Sequence, residues 1–221
     1  MSLNFNVRRY IQDHLSLYVF VSVLFLMGVV FGAMLVNSLS LEQQQELSRF
    51  FGSYLHTMEQ GYDGQSSSFF SQSFISYTKW IVLIGLFGLT VIGIPLVLVL
   101  DFLKGVLIGF TVGYMVGEMG WNGMLFSLLS IVPQNMIVIP LVIVASVSAL
   151  SLSITLVRHR FQRHPIKLPE IFAAYAAKMF ALILVSLAVS LYEAYVTPVL
   201  IQWMAPRMLS TAVFLYNLEW F

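Results

Sequence analysis

The chain alternates long apolar runs with short polar connections, and five of these runs are candidates for membrane-spanning helices. A helix crosses the hydrocarbon core of a bilayer with about 20 apolar residues. The predicted spans cover residues 17–36, 79–100, 102–118, 124–157 and 171–201. The pattern therefore predicts an all-α fold: a polytopic integral membrane helical bundle of about five transmembrane helices, in a single domain over residues 1–221.

The fourth run is too long for a simple span and contains two prolines, Pro133 and Pro140. Proline removes a backbone hydrogen bond and kinks or breaks a helix. We expect one crossing with a broken or re-entrant start, in which the amides of Gln134 and Asn135 satisfy backbone groups that the break leaves free. A substrate-binding role for these two intramembrane polar residues is the alternative.

The only long hydrophilic segment, residues 37–78, has the pattern of an amphipathic extracytoplasmic helix. Ser40 and Gln43 have the spacing of a capping box at a helix start. Apolar residues then recur at helical spacing opposite Glu46 and Arg49, until the stretch GYDGQSSS interrupts the pattern. Such a helix either lies on the lipid surface or offers a docking surface to another protein, and the two alternatives are compatible.

Glycines recur at every fourth position in the third span, and a similar pair lies in the first. They are Gly28 and Gly32 in the first span and Gly105, Gly109, Gly113 and Gly117 in the third. Small residues at this spacing let the backbones of two helices approach closely in lipid. We interpret them as a packing face, either within one chain or between the two copies of a homodimer. A wall of a substrate path is a third alternative.

The composition supports a membrane location. Hydrophobic residues make up 59% of the chain and charged residues 10%, whereas a soluble domain typically carries about 25% charged residues. No basic face is large enough to suggest nucleic acid as a partner. The chain has no cysteine, which excludes disulfides, thiol catalysis and cysteine metal sites. We expect no cofactor.

Basic residues near the ends of the spans indicate the orientation, because cytoplasmic connections carry an excess of lysine and arginine. With five crossings, the basic residues on the side of the amino terminus are Arg8, Arg9, Lys104, Arg158, Arg160, Arg163 and Lys167. Those on the other side are Arg49, Lys79 and Arg207. We therefore expect residues 1–16 and 158–170 in the cytoplasm, and residues 37–78 and 202–221 outside.

Charged side chains inside a membrane are costly, and they are therefore candidates for function. Asp101 and Lys104 lie at the predicted turn between the second and third spans, where we expect them to pair locally. Glu193 is deeper in its span, and a functional and a structural role are both open for it. Pro95 predicts a kink in the second span.

The sequence offers few candidates for catalysis or metal binding. His56, Glu59 and Asp63 have a spacing at which one helical turn brings the first two together for a metal ion, but Gly61 interrupts the helix there. No H-E-x-x-H, G-x-S-x-G or Walker motif is present. The outer segment of about 40 residues is too small for a separately folded enzyme. We expect that the protein is not an enzyme.

Several stretches of the chain together resemble the family of stage II sporulation protein M, SpoIIM, of endospore-forming bacteria. They are SLYVFVSVLFLMGVVFGAMLVNSLS (16–40), FSQSFISY (70–77), FLKGVLIGFTVGYMVGEMGWNG (102–123), PQNMIVIP (133–140) and EAYVTPVL (193–200). No single stretch is decisive, but their order and spacing make the resemblance specific. It covers nearly the whole chain.

The resemblance implies a membrane scaffold for engulfment during sporulation, in the mother-cell membrane at the septum. Its implied partners are two peptidoglycan-degrading proteins, SpoIID and SpoIIP, which it localises. A membrane subunit of a transporter or of an ABC-type export system is the alternative. For a scaffold we expect apolar partner contact at the outer segment, with Glu46 and Arg49 on the rim. The apolar contact residues are Phe50, Phe51, Tyr54, Met58, Phe69, Phe70 and Phe74.

Overall fold

The computed structural model describes residues 14–49, 66–90, 92–130, 132–161 and 168–218, and every regular element in them is a helix. Helix α1 covers Leu15–Leu35 and continues into a 3-10 turn at Val36–Ser38. Helix α2 covers residues 41–49. The remaining helices are α3 (Ser66–Gly88), α4 (Gly93–Ser130), α5 (Val132–Phe161) and α6 (Leu168–Leu218). The predicted all-α class is confirmed.

Four stretches of the described helices are long and apolar enough to cross a membrane. They are Leu15–Ser38, Gly93–Gly117, Asn135–Arg158 and Pro169–Tyr195. Large apolar side chains such as Leu26 and Met27 are exposed on the outside of the bundle, whereas small or hydroxyl-bearing side chains such as Ser146 and Ala149 are buried inside it. This distribution is typical of helices that pack in lipid. The chain is a multi-pass helical membrane protein.

Helices α1 and α4 pack against each other and run in the same direction. Near one end of the contact, Gly105 of α4 faces the backbone of Phe25 and Gly28 in α1. Further along both helices, a Cβ placed on Gly113 would lie 3.3 Å from the Cβ of Ala33. The residue numbers rise together along the contact, so the two helices are parallel.

Because α1 and α4 are parallel, the chain between them has to return through the bundle, and α3 makes this return. Its 23 residues cover about 34 Å at 1.5 Å per residue, which exceeds a hydrocarbon core of about 30 Å. Helix α5 runs opposite to α4, since Ser146 bonds Asp101 and Ser153 bonds Gly88 at the turn before α4. The helices α1, α3, α4, α5 and α6 thus make five alternating passes.

Helix α6 runs opposite to α3, which completes the alternation. Tyr175, near the start of α6, donates to the carbonyl of Gly85 near the end of α3. Glu193, much later in α6, accepts from Tyr77 in the middle of α3. The fifth pass therefore ends at the opposite face of the bundle from the start of α1.

The break between the second and third predicted spans is not where the sequence analysis placed it. The predicted boundary near residue 101 lies inside α4, and the chain turns between Gly88 and Gly93 instead. A side chain at Gly93 would overlap the carbonyl of Phe87, so the turn requires glycine. Pro95 lies in the first turn of α4, where proline is tolerated, and not at a kink within a span.

Hydrogen bonds from α5 stabilise the turn between Gly88 and Gly93. The hydroxyl of Ser153 in α5 donates to the carbonyls of Gly88 at 2.8 Å and of Thr90 at 3.1 Å. The hydroxyl of Thr90 donates to the carbonyl of Phe87 at 2.9 Å. These bonds satisfy carbonyls that the ends of a helix leave free.

The predicted fourth and fifth spans also have different limits in the structure. The stretch 124–157 is divided between the end of α4 at Ser130 and the start of α5 at Val132. Within α4, Gly120 has φ 55° and ψ −128°, so the helix is interrupted there. Pro133 occupies the first turn of α5, and Pro140 lies inside this helix. Helix α6 continues to Leu218, which makes most of the predicted tail helical.

Candidate functional site

Helix α2 starts with the predicted capping box. The backbone N–H of Ser40 donates to Oε1 of Gln43 at 3.0 Å, and the N–H of Gln43 donates to the hydroxyl of Ser40 at 3.4 Å. The hydroxyl of Tyr114 in α4 donates to the carbonyl of Gln44 at 3.5 Å. This hydrogen bond attaches helix α2 to the bundle near the end of the parallel α1–α4 contact.

The structure describes only part of the predicted partner-binding set. Glu46 and Arg49 lie on α2 and are exposed. Phe70 and Phe74 lie in α3, half-buried, with their rings stacked at a centroid distance of 6.0 Å and an interplanar angle of 4°. Phe69 is in α3, but its side chain is outside the described part, as are residues Phe50, Phe51, Tyr54 and Met58. A partner contact at these residues stays a prediction.

The glycines singled out in the sequence lie at the contact between α1 and α4. Gly28 and Gly32 face the backbone of Phe102 and Val106, and Gly105, Gly109 and Gly113 face that of Phe25, Val29 and Ala33. A side chain at Gly28, Gly32, Gly105 or Gly109 would overlap a backbone carbonyl of the opposite helix. At Gly117 the nearest atom is the Cγ1 of Val36, 3.9 Å away, so this position has room. The facing helix belongs to the same chain, and a homodimer stays a prediction.

A cluster of charged and aromatic side chains joins α3, α4 and α6; we call Tyr77, Trp80, Lys104 and Glu193 the charged cluster. The hydroxyl of Tyr77 donates to the Glu193 carboxylate at 2.7 Å. The Lys104 ammonium lies over the ring of Trp80, 5.2 Å from its centroid, and 5.9 Å from that of Tyr77. Tyr77 is therefore in contact with both charged groups, through its hydroxyl with Glu193 and through its ring with Lys104.

The charged cluster lies deep in the bundle. Lys104 is about 16 Å along α4 from Gly93 at 1.5 Å per residue, close to the middle of a core about 30 Å thick. At that depth an isolated charge is costly. The opposite charge of Glu193 and the faces of two aromatic rings offset this cost, since a cation is attracted to the electron-rich face of an aromatic ring.

Asp101 and Lys104 do not form the predicted local pair. Asp101 is 1% exposed, and its Oδ1 accepts from the hydroxyl of Ser146 at 2.6 Å. Its Oδ2 has no hydrogen-bond partner among the described residues. Asp101 points to α5, where Ser146 bonds it, and Lys104 points to the rings of Tyr77 and Trp80 in α3.

The remaining candidate residues lie at the start of α5 or outside the described residues. Gln134 lies in the first turn of α5 with its side chain outside the described part, and Asn135, next to it, is half-buried. His56, Glu59 and Asp63 lie outside the described residues. Within the described residues, no group of three or more histidine, cysteine, aspartate or glutamate side chains is placed to hold a metal ion.

The sequence analysis missed Tyr77, Trp80 and Ser146. A hairpin folded about the Gly88–Gly93 turn would have placed Tyr77 opposite Lys104, because the two are equally far from its centre. The contact between Ser146 and Asp101 has no such signal, since it depends on the way that α5 packs on α4.

Five alternating helices and the short exposed helix α2 define a polytopic membrane protein of the bundle type. The family model of stage II sporulation protein M, SpoIIM, matches residues 21–198 of the chain. The chain belongs to the SpoIIM family and is a sporulation membrane protein, as its resemblance to that family predicted. No curated protein and no solved structure matches it.

Proposed function

We propose that this protein is a membrane scaffold of the engulfment machinery, which localises the peptidoglycan-degrading proteins SpoIID and SpoIIP at the septal membrane of the mother cell. The family match over residues 21–198 is the observation that carries the proposal. In this proposal the protein itself has no catalytic role, and its partners cut the cell wall. The bundle holds the position in the membrane, and the outer segment binds the partners.

The arrangement of the helix ends supports an orientation with the amino terminus in the cytoplasm. His14, just before α1, lies 2.8 Å from the hydroxyl of Ser151 near the end of α5, and Ser153 holds the turn before α4. The sequence places basic residues next to this end of the bundle, namely Arg8, Arg9, Arg158, Arg160, Arg163 and Lys167. Cytoplasmic connections are rich in such residues. Lys104 no longer counts, because it lies inside α4.

With this orientation, α2 lies on the side of the membrane that faces the cell wall. Its charged residues Glu46 and Arg49 are exposed, and Leu41 is 77% exposed at its start. An exposed apolar side chain with charged neighbours suits the edge of a protein–protein contact, where a polar rim surrounds an apolar centre. These observations support the outer segment as the partner-binding surface.

The test is co-purification of SpoIID and SpoIIP with the full-length protein from native membranes. Replacing Phe50, Phe51 and Tyr54 together with serine removes the apolar centre of the proposed contact. We expect recovery of both partners to fall by at least about tenfold, since residues at the centre of a contact carry most of its energy. Val30→Ala, at a lipid-facing position of α1, is the control. Undiminished recovery at normal protein abundance contradicts this docking surface.

A membrane subunit of a transporter or an ABC-type export system is the second candidate. The observation that favours it is the presence of charge deep in the bundle, at Asp101 and in the charged cluster, because such residues often mark a substrate path. Reconstitution into sealed vesicles with a candidate ATPase tests it. Nucleotide-dependent movement of a solute, abolished by Asp101→Asn, would support transport, and a tight vesicle under all conditions would contradict it.

A further inference from the structure

Helix α3 differs from the other passes because half of it is polar. Its outer half carries exposed Ser71, Gln72 and Ser76, and α3 is not among the four stretches that are apolar enough to cross a membrane. Apolar burial therefore holds it in the bundle less strongly than it holds α5. Specific polar contacts have to fix its position, as they do for polar helices in membranes.

Contacts of this kind occur at two levels along α3. Close to the turn, Tyr175 donates to the carbonyl of Gly85 at 3.0 Å and Ser153 donates to that of Gly88 at 2.8 Å. The second level is the charged cluster, where Tyr77 bonds Glu193 and Lys104 lies over Trp80. At the first level, the hydroxyls of Tyr175 and Ser153 donate to backbone carbonyls. These two bonds therefore do not depend on which side chains α3 carries.

The second level is the one that adjoins the outer half of α3. Tyr77 is one helical turn from Phe74, whose ring stacks on that of Phe70. Next to Tyr77, the hydroxyl of Thr78 is buried without a hydrogen-bond partner among the described residues. Tyr77 and Trp80 thus attach α3 to α6 and α4 directly next to this outer half.

We propose that Tyr77, Lys104 and Glu193 are positioning residues, which fix the outer half of α3 and so present Phe70 and Phe74 for partner contact. The positioning itself is independent of the partner's identity, and only the last step rests on the proposed scaffold function. Lys104 and Glu193 carry opposite charges and both lie against Tyr77, so they act together in this role. Removing one of them leaves the other charge uncompensated inside the membrane, whereas removing both leaves none, and an uncompensated buried charge is the more costly state.

The test of positioning is the reactivity of a cysteine in place of Phe74, a half-buried position in a chain that has no cysteine of its own. The full-length Phe74→Cys protein is placed in lipid nanodiscs and treated with a polar maleimide. Tyr77→Phe loses a hydrogen bond to a charged group and should speed the labelling at least about fivefold. Glu193→Gln makes the acceptor neutral and leaves the Lys104 charge uncompensated, so it should speed the labelling at least as much. Tyr195→Phe, at an exposed tyrosine in the same helix as Glu193, should leave the rate unchanged. Ile75→Cys, at an exposed neighbouring position, gives the rate of an unprotected site.

The pairing is tested by the combination of Lys104→Met with Glu193→Gln. This double variant should label faster than Phe74→Cys alone, because the bond from Tyr77 now ends on a neutral group, but more slowly than Glu193→Gln, because no charge is left unpaired. It also keeps the test valid if Glu193→Gln fails to fold. Unchanged labelling in Tyr77→Phe and in the double variant overturns the positioning role, and a double variant that labels as fast as Glu193→Gln overturns the pairing.

Capture of SpoIID and SpoIIP by the same variants separates this inference from the proposed function. Faster labelling together with at least about a fivefold loss of capture supports the whole proposal. Faster labelling with undiminished capture overturns the step from Phe70 and Phe74 to the partner. If the unaltered protein captures neither partner, the scaffold function fails, and the labelling rates alone decide whether the charged cluster positions α3.

Discussion

Gly113 of α4 lies directly against Ala33 of α1, and a Cβ on the glycine would be 3.3 Å from the alanine Cβ. This distance is close to the separation of about 3.5–4.5 Å between the Cβ atoms of a disulfide. The contact joins two parallel helices of one chain. A disulfide crosslink at this contact can therefore show whether the glycine-rich face packs within the chain or between two copies.

The first prediction is that Ala33→Cys combined with Gly113→Cys forms a disulfide within one chain. Because the chain has no other cysteine, oxidation in native membranes can only link these two positions or two copies. We expect a monomer whose mobility on a non-reducing gel differs from that of the reduced form. The single variants serve as controls. A covalent dimer from the double variant, at low expression, would place the seam between copies.

The second prediction concerns two glycines of the same helix. Gly109→Ala places a methyl group against the backbone carbonyl of Val29, whereas Gly117→Ala meets only the Val36 Cγ1 at 3.9 Å. A backbone contact cannot move aside as a flexible side chain can, so Gly109→Ala should destabilise the bundle by about 1–3 kcal/mol. Gly117→Ala should have little effect. Thermal unfolding in nanodiscs measures the difference, and equal midpoints for the two variants would contradict the described contact.

Part of this packing was predictable from the sequence. Glycines at every fourth position indicate a close helix contact because of their size alone, and the capping box at Ser40 and Gln43 depends on local spacing. The parallel direction of α1 and α4 was not predictable, since it depends on how the chain returns between them. The contacts across the two helices, such as those of Gly105 with Phe25 and of Gly113 with Ala33, reveal it.

The position of the break before α4 was the main error, and its cause is physical. Apolar residues continue from Trp80 to Leu100, so hydropathy does not reveal the Gly88–Gly93 turn. Asp101 and Lys104 suggested a turn because charges usually lie at helix ends. In the structure their environment comes from other helices, through Ser146 and through the rings of Tyr77 and Trp80. Contacts between residues so distant in sequence leave no local signal.

The third prediction compares two buried serines of α5. Ser146 donates a hydrogen bond to Asp101 at 2.6 Å, while the hydroxyl of Ser148 has no partner among the described residues. Ser146→Ala removes the one hydrogen bond that this buried carboxyl group accepts from the described residues, and it should destabilise the bundle by about 1–3 kcal/mol. Ser148→Ala removes a hydroxyl that makes no bond, so the stability should stay unchanged or rise. The free energy of unfolding in mixed detergent micelles measures both, and a larger loss for Ser148→Ala would refute the assigned bond.

The fourth prediction tests the five alternating passes through the accessibility of the two ends. Ser48 lies on α2 and Arg158 near the end of α5, and both side chains are exposed. In intact spheroplasts, a membrane-impermeant maleimide should label Ser48→Cys and should not label Arg158→Cys. Breaking the membrane open should make the second position reactive as well, which shows that it is accessible from inside.

The outcome depends on α3, because it is the pass that hydropathy alone does not identify. If α3 stayed on one side of the membrane, α4 would cross in the direction opposite to α1, and α5 would then end on the same side as α2. Ser48→Cys and Arg158→Cys would in that case be labelled together in intact spheroplasts. That arrangement is incompatible with the parallel contact of Gly113 with Ala33, and it would also place Arg158 and the basic residues that follow it outside the cell, against the usual distribution of such residues. Labelling of one end only therefore supports the return of the chain through α3 and the orientation together.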